Sequence, residues 1–100
     1  MPEVWTLGRW TVIPGKEDDF AAAWRELADW TAGQFATAGA MLLRDRDQPN
    51  VFFSFGPWPD LETVGQWRGS NGFQQRISVI RGLLESFEPH TLDPVAKQAG

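Results

Sequence analysis

Several residue types that usually carry chemistry are missing or scarce in this chain of 100 residues. It has no cysteine, which excludes disulfides, zinc–thiolate sites and cysteine nucleophiles. It has one histidine, His90, so a metal site built from several histidines is excluded as well. The acidic run at 17–19 fits the first turn of a helix, where the helix dipole favours negative charge. We therefore expect no metal site.

Long apolar runs and concentrated positive charge are also missing. No stretch approaches the roughly 18 apolar residues that a membrane span needs, and the segment MPEVWTLGRW lacks the pattern of a signal peptide. The net charge is −4 and the nine basic residues are scattered, whereas nucleic acids require a concentrated basic face. We expect neither a membrane nor a nucleic acid as partner. The absence of cysteine agrees with a reducing, cytoplasmic location.

Aromatic residues, in contrast, are abundant: the chain has six tryptophans and seven phenylalanines, although it has no tyrosine. Its 42% hydrophobic and 22% charged residues are typical of a globular protein, and its length suits one domain. We predict a single domain over 1–100, with a core at about 4–92 and a loose polar tail at 93–100.

Hydrophobic periodicity and turn residues divide the chain into strands and helices. Pro14-Gly15 ends the first strand, Pro57 and Pro59 end the third, and Asp60 is a candidate helix N-cap. Pro89 indicates an edge or bulged position for the last strand. The predicted strands are 3–13, 40–45, 51–56 and 86–92. The predicted helices are 16–35, a segment over 61–67, and a segment from about 73 to 84.

This order predicts an α+β fold of the ferredoxin-like βαββαβ type, with a four-stranded antiparallel sheet. The helices of such a fold cover one face of the sheet. The strands nevertheless carry large apolar side chains on both faces, with Phe53 and Phe55 on one side of the third strand and Phe52 on the other. An antiparallel sheet with a solvated face normally alternates apolar and polar residues. We therefore expect a homodimer that packs through the second sheet face.

Three segments resemble the antibiotic biosynthesis monooxygenase family of the dimeric α+β barrel superfamily. They are WTVIPGKEDDF at 10–20, LLRDRDQPNVFFSFGPW at 42–58 and DLETVGQWRGSNGFQQR at 60–76. They are similar to the family's strand–PGKE–helix start, its D-x-P-N hairpin turn, and its step of Trp or His, Ser and Phe between two helices. The resemblance spans about 4–92 and implies a dimeric α+β barrel.

The resemblance also implies an activity. The best-understood members of the family oxidise aromatic polyketide phenols with O₂ and no cofactor, because the electron-rich substrate anion itself reduces oxygen. Trp67 stands at the family's tryptophan position, whereas the tyrosines of those members have no counterpart here. Haem-degrading members use an asparagine and a histidine where this chain has Gly8 and Ile77, which argues against haem degradation.

The candidate site is the cleft between helices and sheet, occupied by a small apolar or aromatic molecule. The candidate catalytic residues are Trp67, His90 and Arg44, and the candidate substrate-binding residues are Trp58, Trp24, Phe53 and Phe55. A histidine can act as acid or base near neutral pH, and an arginine can hold an enolate or phenolate oxygen. Each has a plain alternative: His90 as a structural residue, Arg44 in a surface ion pair, Trp67 in the core, and Trp58 as a plug at the end of the sheet.

Three functions stay open at this point. The first is a cofactor-independent monooxygenase of the kind found in antibiotic biosynthesis. The second is a non-catalytic, ligand-binding or structural dimer of the same fold. The third is a non-oxidative isomerase or cyclase, which needs acid–base groups instead of oxygen chemistry. The polar groups that face the helix–sheet cavity distinguish these functions.

Overall fold

Four strands and three helices make up the computed structural model, which describes residues 3–99. The elements are β1 (Val4–Val12), α1 (Glu17–Gln34), β2 (Met41–Arg44), β3 (Val51–Trp58), α2 (Leu61–Gly69), α3 (Asn71–Arg81) and β4 (Leu84–Leu92). The strands form one antiparallel sheet in the order β2-β3-β1-β4. This is the predicted ferredoxin-like α+β fold, and the prediction is confirmed.

Two side chains set the boundaries of α2 and α3. The Asp60 carboxylate accepts hydrogen bonds from the backbone N–H of Thr63 at 2.8 Å and from its hydroxyl at 2.7 Å, as an N-cap does. These bonds hold the pKa of Asp60 below its usual value. The Ser70 hydroxyl accepts from the N–H of Phe73 and donates to the carbonyl of Trp67, so it ends one helix and starts the next.

The two prolines in the strands occupy different situations. The sequence pattern predicted that Pro57 ends β3. Pro57 instead lies within β3, opposite Trp5 of β1. Proline is tolerated there because β2 pairs with β3 only as far as Phe55, so the end of β3 has a neighbour on one side. Pro89 lies in β4, which is an edge strand as expected.

The buried core lies between the helices and one face of the sheet, in two clusters. The larger cluster is built around residues with almost no exposure and comprises Trp10, Val12, Phe20, Leu27, Phe52, Ile77 and Ile80. The smaller one comprises Val4, Trp58 and Val64, with Phe35 and Trp67 packed against it. Because the clusters are separate, the layer between helices and sheet is not filled continuously.

The opposite face of the sheet, which we call the open face, is apolar and uncovered by any helix or strand of residues 3–99. Met41 and Leu43 of β2 lie on it and are 54% and 47% exposed. The rings of Trp5 and Phe55 stack on it with centroids 6.4 Å apart. The prediction of large apolar residues on both faces of the sheet is thus confirmed. Residues 93–97 border the end of this face without forming a helix or strand.

Candidate functional site

Two neighbouring hollows lie between the helices and the sheet. The inner cavity has a volume of about 80 Å³ and is lined by α1, the segment 37–40, β3 and α2, with Trp24, Thr31, Thr37 and Trp58 among its walls. The outer cleft has a volume of about 250 Å³ and lies between β1, β4, α2 and α3, with Gly8, Arg68, Phe73, Ile77, Arg81 and Phe87 among its walls. Thr6 and Trp67 line both. These two residues therefore form the partition between the hollows.

The partition is held in place by a hydrogen bond and by ring packing. The Trp67 indole Nε1 donates to the Thr31 hydroxyl at 3.0 Å, and that hydroxyl donates to the backbone carbonyl of Leu27 at 2.7 Å. The Trp67 ring lies 4.7 Å, between centroids, from the rings of both Trp58 and Phe73. The indole is half-buried. The core and pocket-wall interpretations of Trp67 thus both describe it, because the residue packs against the smaller core cluster and also lines both hollows.

Threonine hydroxyls are the polar groups of the inner cavity. The Trp58 indole donates to the Thr6 hydroxyl at 3.1 Å, and Trp58 itself is 4% exposed. Thr37 lies in the segment between α1 and β2 that roofs the cavity. This segment lies close to β3, since a Cβ on Gly56 of β3 would collide with the backbone carbonyl of Gly39 in the segment. The inner cavity is therefore small, mostly apolar and closely packed around its edge.

Two arginines that the sequence analysis did not single out line the outer cleft. Arg68, at the last turn of α2, is half-buried, and its guanidinium donates to the Thr91 hydroxyl at 2.8 Å. Burial lowers the pKa of Arg68, although the group stays protonated. Arg81 ends α3 at the rim of the cleft. A clue was present in the sequence, because Arg68 directly follows Trp67, but only the helix position shows that both border one cleft.

The structure brings together some of the predicted site residues. Trp24, Trp58 and Trp67 all line the inner cavity. Phe55 borders it as well, although its ring stacks on Trp5 at the open face. Phe53, in contrast, pairs with Arg9 and Leu43 and lies on the open face, because alternate residues of a strand point to opposite sides.

The placement of His90 and Arg44 corrects the expectation that they reach the helix–sheet cleft. His90 is exposed and pairs with Leu7 in β4, so strand alternation directs it to the open face. Arg44 is exposed at the end of the edge strand β2, and its guanidinium lies 4.8 Å from the centre of the Phe52 ring. No carboxylate of residues 3–99 lies within 4.0 Å of the Arg44 side chain, so the surface ion pair is not formed either.

No histidine or carboxylate side chain of residues 3–99 lines either hollow. Within the described range 3–99, no three His, Asp or Glu side chains come together as a metal site requires. No helix of that range has the length and apolarity needed to cross a membrane.

The sequence model of antibiotic biosynthesis monooxygenases matches residues 4–77, from the start of β1 into α3. The chain belongs to this family. The matched region includes β1 and α2, the two elements that carry Thr6 and Trp67 of the partition. No curated protein sequence matches the chain.

Solved structures agree with the family assignment. SnoaB, a cofactor-independent oxygenase from Streptomyces nogalater, is similar with a TM-score of 0.86 and 25% sequence identity, over 99% of this chain and 97% of that one. A conserved protein from Methanosarcina mazei has a TM-score of 0.83 at 16% identity, covering 91% of both chains. A protein from Shewanella oneidensis has a TM-score of 0.81 at 20% identity, covering 90% of this chain and 88% of its own. The last two show the fold alone.

Proposed function

We propose that the protein is an oxygenase that oxidises a small aromatic metabolite with O₂, without metal or flavin, in the outer cleft beside Trp67. Family membership and the similarity to the cofactor-independent oxygenase SnoaB support this proposal. The observation that carries it is the position of Trp67, whose ring forms the common wall of the inner cavity and the outer cleft. An aromatic substrate in the cleft would contact this ring directly.

The chemistry asks little of the protein because the substrate supplies the electrons. An activated ring CH₂ group loses a proton to water, since no histidine or carboxylate of residues 3–99 lines the cleft, and the resulting enolate or phenolate transfers electrons to O₂. In the complete reaction the CH₂ becomes C=O, which releases four electrons; one oxygen atom enters the product and the other leaves as water. The protein's part is to exclude bulk water and stabilise the anion, and the apolar walls and Arg68 of the cleft suit these two tasks.

The volume of the cleft limits the substrate. Pockets for drug-sized ligands have volumes of about 300–1,000 Å³. The outer cleft, at about 250 Å³, is somewhat smaller, and the inner cavity, at about 80 Å³, is smaller than the roughly 150 Å³ cavity that accommodates benzene. A ligand of one to three fused rings therefore suits the outer cleft, and the inner cavity does not hold an aromatic substrate in this conformation.

Oxygen uptake with a panel of anthrone-like and quinol compounds tests the proposal. We expect uptake and incorporation of one ¹⁸O atom from ¹⁸O₂, detected by mass spectrometry. Trp67→Phe should lower kcat/KM at least about tenfold through loss of the wall and its hydrogen bond. The matched control is Trp30→Phe, because Trp30 lines neither hollow. Equal activity of the Trp67 and Trp30 variants, or no uptake with compounds that bind the cleft, would refute the proposal.

A non-catalytic ligand-binding protein is the second candidate. It is favoured by one observation, the lack of histidine and carboxylate side chains around both hollows. The same observation weighs more heavily against an isomerase or cyclase, since those reactions need a positioned acid or base. Compounds that bind in the cleft without oxygen uptake would support the binding protein.

We also propose that the protein is a homodimer that buries the open face of the sheet, completing an α+β barrel. The exposed Met41 and Leu43 and the stacked Trp5 and Phe55 support this, because large apolar patches on soluble proteins usually mark interfaces. Light scattering at micromolar concentration should give twice the chain mass of 11.2 kDa, and a monomeric mass would refute the dimer. The single-domain organisation and the cytoplasmic location stay predictions.

A further inference from the structure

We infer that the outer cleft binds an aromatic anion and that Arg68 holds its charged oxygen, a carboxylate or an ionised phenol. The inference names the substrate class for the proposed oxygenase, and it rests on that proposal only in treating the cleft as the ligand site. It depends on three features of the structure: the unpaired charge of Arg68, the direction of its side chain, and the apolar walls beside it.

The first feature is a half-buried charge without a counter-ion. Arg9, Arg25 and Arg76 each lie within 4.0 Å of a carboxylate. Arg68 is also partly shielded from water, yet no carboxylate of residues 3–99 lies within that distance of it. Its guanidinium has five N–H groups, and the Thr91 hydroxyl accepts from Nη1 alone. Donors remain for a ligand, and a partly desolvated charge gains from an anionic partner.

The second feature is the direction of the side chain. A positive charge in the last turn of α2 complements the helix dipole, and this alone accounts for a basic residue at position 68. A residue with that role alone has no need to contact another element of the fold. Arg68 instead extends across to β4, where the 2.8 Å bond to Thr91 fixes the guanidinium at the wall of the cleft. The bond therefore orients the remaining donors.

The third feature is the surface beside the charge. Phe73, Ile77 and Phe87 line the cleft, and Gly8 lies at its floor, where a Cβ would meet the side chains of its neighbours at about 3 Å. Arg81 adds a second positive charge at the rim. The chain as a whole has a net charge of −4, so two arginines at one apolar opening make a local positive site. An apolar surface with a cationic side chain at one end is complementary to an aromatic ring that carries an anionic oxygen.

Binding of a matched pair of probes tests the inference without any need for turnover. The probes are 2-naphthoate and the neutral 2-naphthamide, which have the same rings, and 4-nitrophenolate represents ionised phenols. Affinities are measured by calorimetry and by ¹⁵N-detected NMR titration. We expect naphthoate to bind at least about tenfold more tightly than the amide, since a hydrogen bond to a charged group commonly changes affinity by this factor or more. The largest shifts should fall on Gly8, the Trp67 indole and Ile77, not on Leu43 of the open face.

Variants of Arg68 then assign the effect. Arg68→Gln should weaken naphthoate binding about 10- to 100-fold and leave the amide unchanged, while Arg68→Lys should retain part of the preference. Arg46→Gln is the matched control, because Arg46 is exposed in the β2–β3 turn away from the cleft. Comparable losses for naphthoate and nitrophenolate would show that either oxygen serves, and a loss for one probe alone would identify the group.

Three outcomes would overturn the inference. They are equal affinity of the native protein for naphthoate and the amide, unchanged naphthoate binding in Arg68→Gln, and no naphthoate binding at millimolar concentration. Naphthoate binding that depends on Arg68, together with a lack of oxygen uptake over the whole panel, would refute the oxygenase while the anion site stands. The two proposals can therefore fail separately.

Discussion

Replacement of Thr31 by valine examines the bond that orients Trp67. Thr31 is 6% exposed. Its hydroxyl donates a hydrogen bond to the Leu27 carbonyl at 2.7 Å, and the same hydroxyl accepts one from the Trp67 indole at 3.0 Å. Valine has nearly the same shape but no oxygen. The Thr31→Val protein thus keeps its packing and loses the acceptor of a half-buried N–H group.

The expected loss of stability follows from these contacts. A net hydrogen bond contributes about 0.5–1.5 kcal/mol, and a buried donor left without a partner costs about 1–3 kcal/mol. Because the indole is only half-buried, we expect the free energy of unfolding to fall by about 1–2 kcal/mol, which lowers Tm by about 5–15 °C in a chain of this size. In a Trp67→Phe background, which has no indole N–H, the same change should cost about 0.5 kcal/mol or less.

Urea unfolding followed by far-ultraviolet circular dichroism measures all four proteins of this cycle. The protein concentration is held constant, because a dimer unfolds in a concentration-dependent way. The difference between the two backgrounds, about 1 kcal/mol, is the coupling between Thr31 and Trp67. A second cycle with Trp5→Phe, on the open face of the sheet, serves as control and should be additive. The reasoning is wrong if Thr31→Val is neutral, or if the Trp67 cycle is additive within about 0.3 kcal/mol.

Three further predictions concern other parts of the fold. Gly72→Ala should destabilise the protein strongly, since a Cβ at position 72 would overlap the indole ring of Trp30. Gly33→Ala should raise Tm slightly, because its Cβ meets no atom within 4 Å. Thermal melts compare the two variants. Asp60→Ala should lower Tm at pH 7. Because the pKa of Asp60 in the folded protein is lowered from 3.8, the difference in Tm between the native protein and the variant should shrink as the pH falls below about 4. A Tm difference that stays constant with pH would contradict the capping role. Leu43→Glu on the open face should give a monomer by light scattering, while Val79→Glu, 66% exposed on α3, should leave the mass unchanged.

Local patterns in the sequence were sufficient for most of the architecture. The stripe of Phe20, Trp24 and Leu27 predicted α1, because its spacing follows the helical period. The apolar residues of both parities in β3 predicted that the sheet has two apolar faces, since alternation along a strand does not depend on its neighbours. Pro57 was interpreted wrongly, because whether a proline ends a strand depends on which neighbour that strand has at that point.

The candidate site was predicted less well, and for one physical reason. Which tryptophans meet at a cavity, and which arginine lies beside them, depends on contacts between residues far apart in the chain. Sequence patterns gave Trp67 a core interpretation and a pocket-wall interpretation, and its catalytic role stays a prediction. His90 and Arg44 were proposed for the cleft on their chemistry alone. Pairing with Leu7 directs His90 to the open face, whereas Arg44, which pairs with Phe52, is exposed at the end of the edge strand β2.

The amino-acid sequence by itself therefore determined the order of the elements, the Asp60 cap and the two apolar faces of the sheet, because these follow from local periodicity and turn chemistry. Only the tertiary structure decided that Trp67 separates two hollows and that Thr31 and Thr6 hold the indoles around them. It also decided that Arg68 is half-buried and that no carboxylate of residues 3–99 pairs with it. Such features arise where α1, α2 and the sheet meet, and no single segment of the chain contains them.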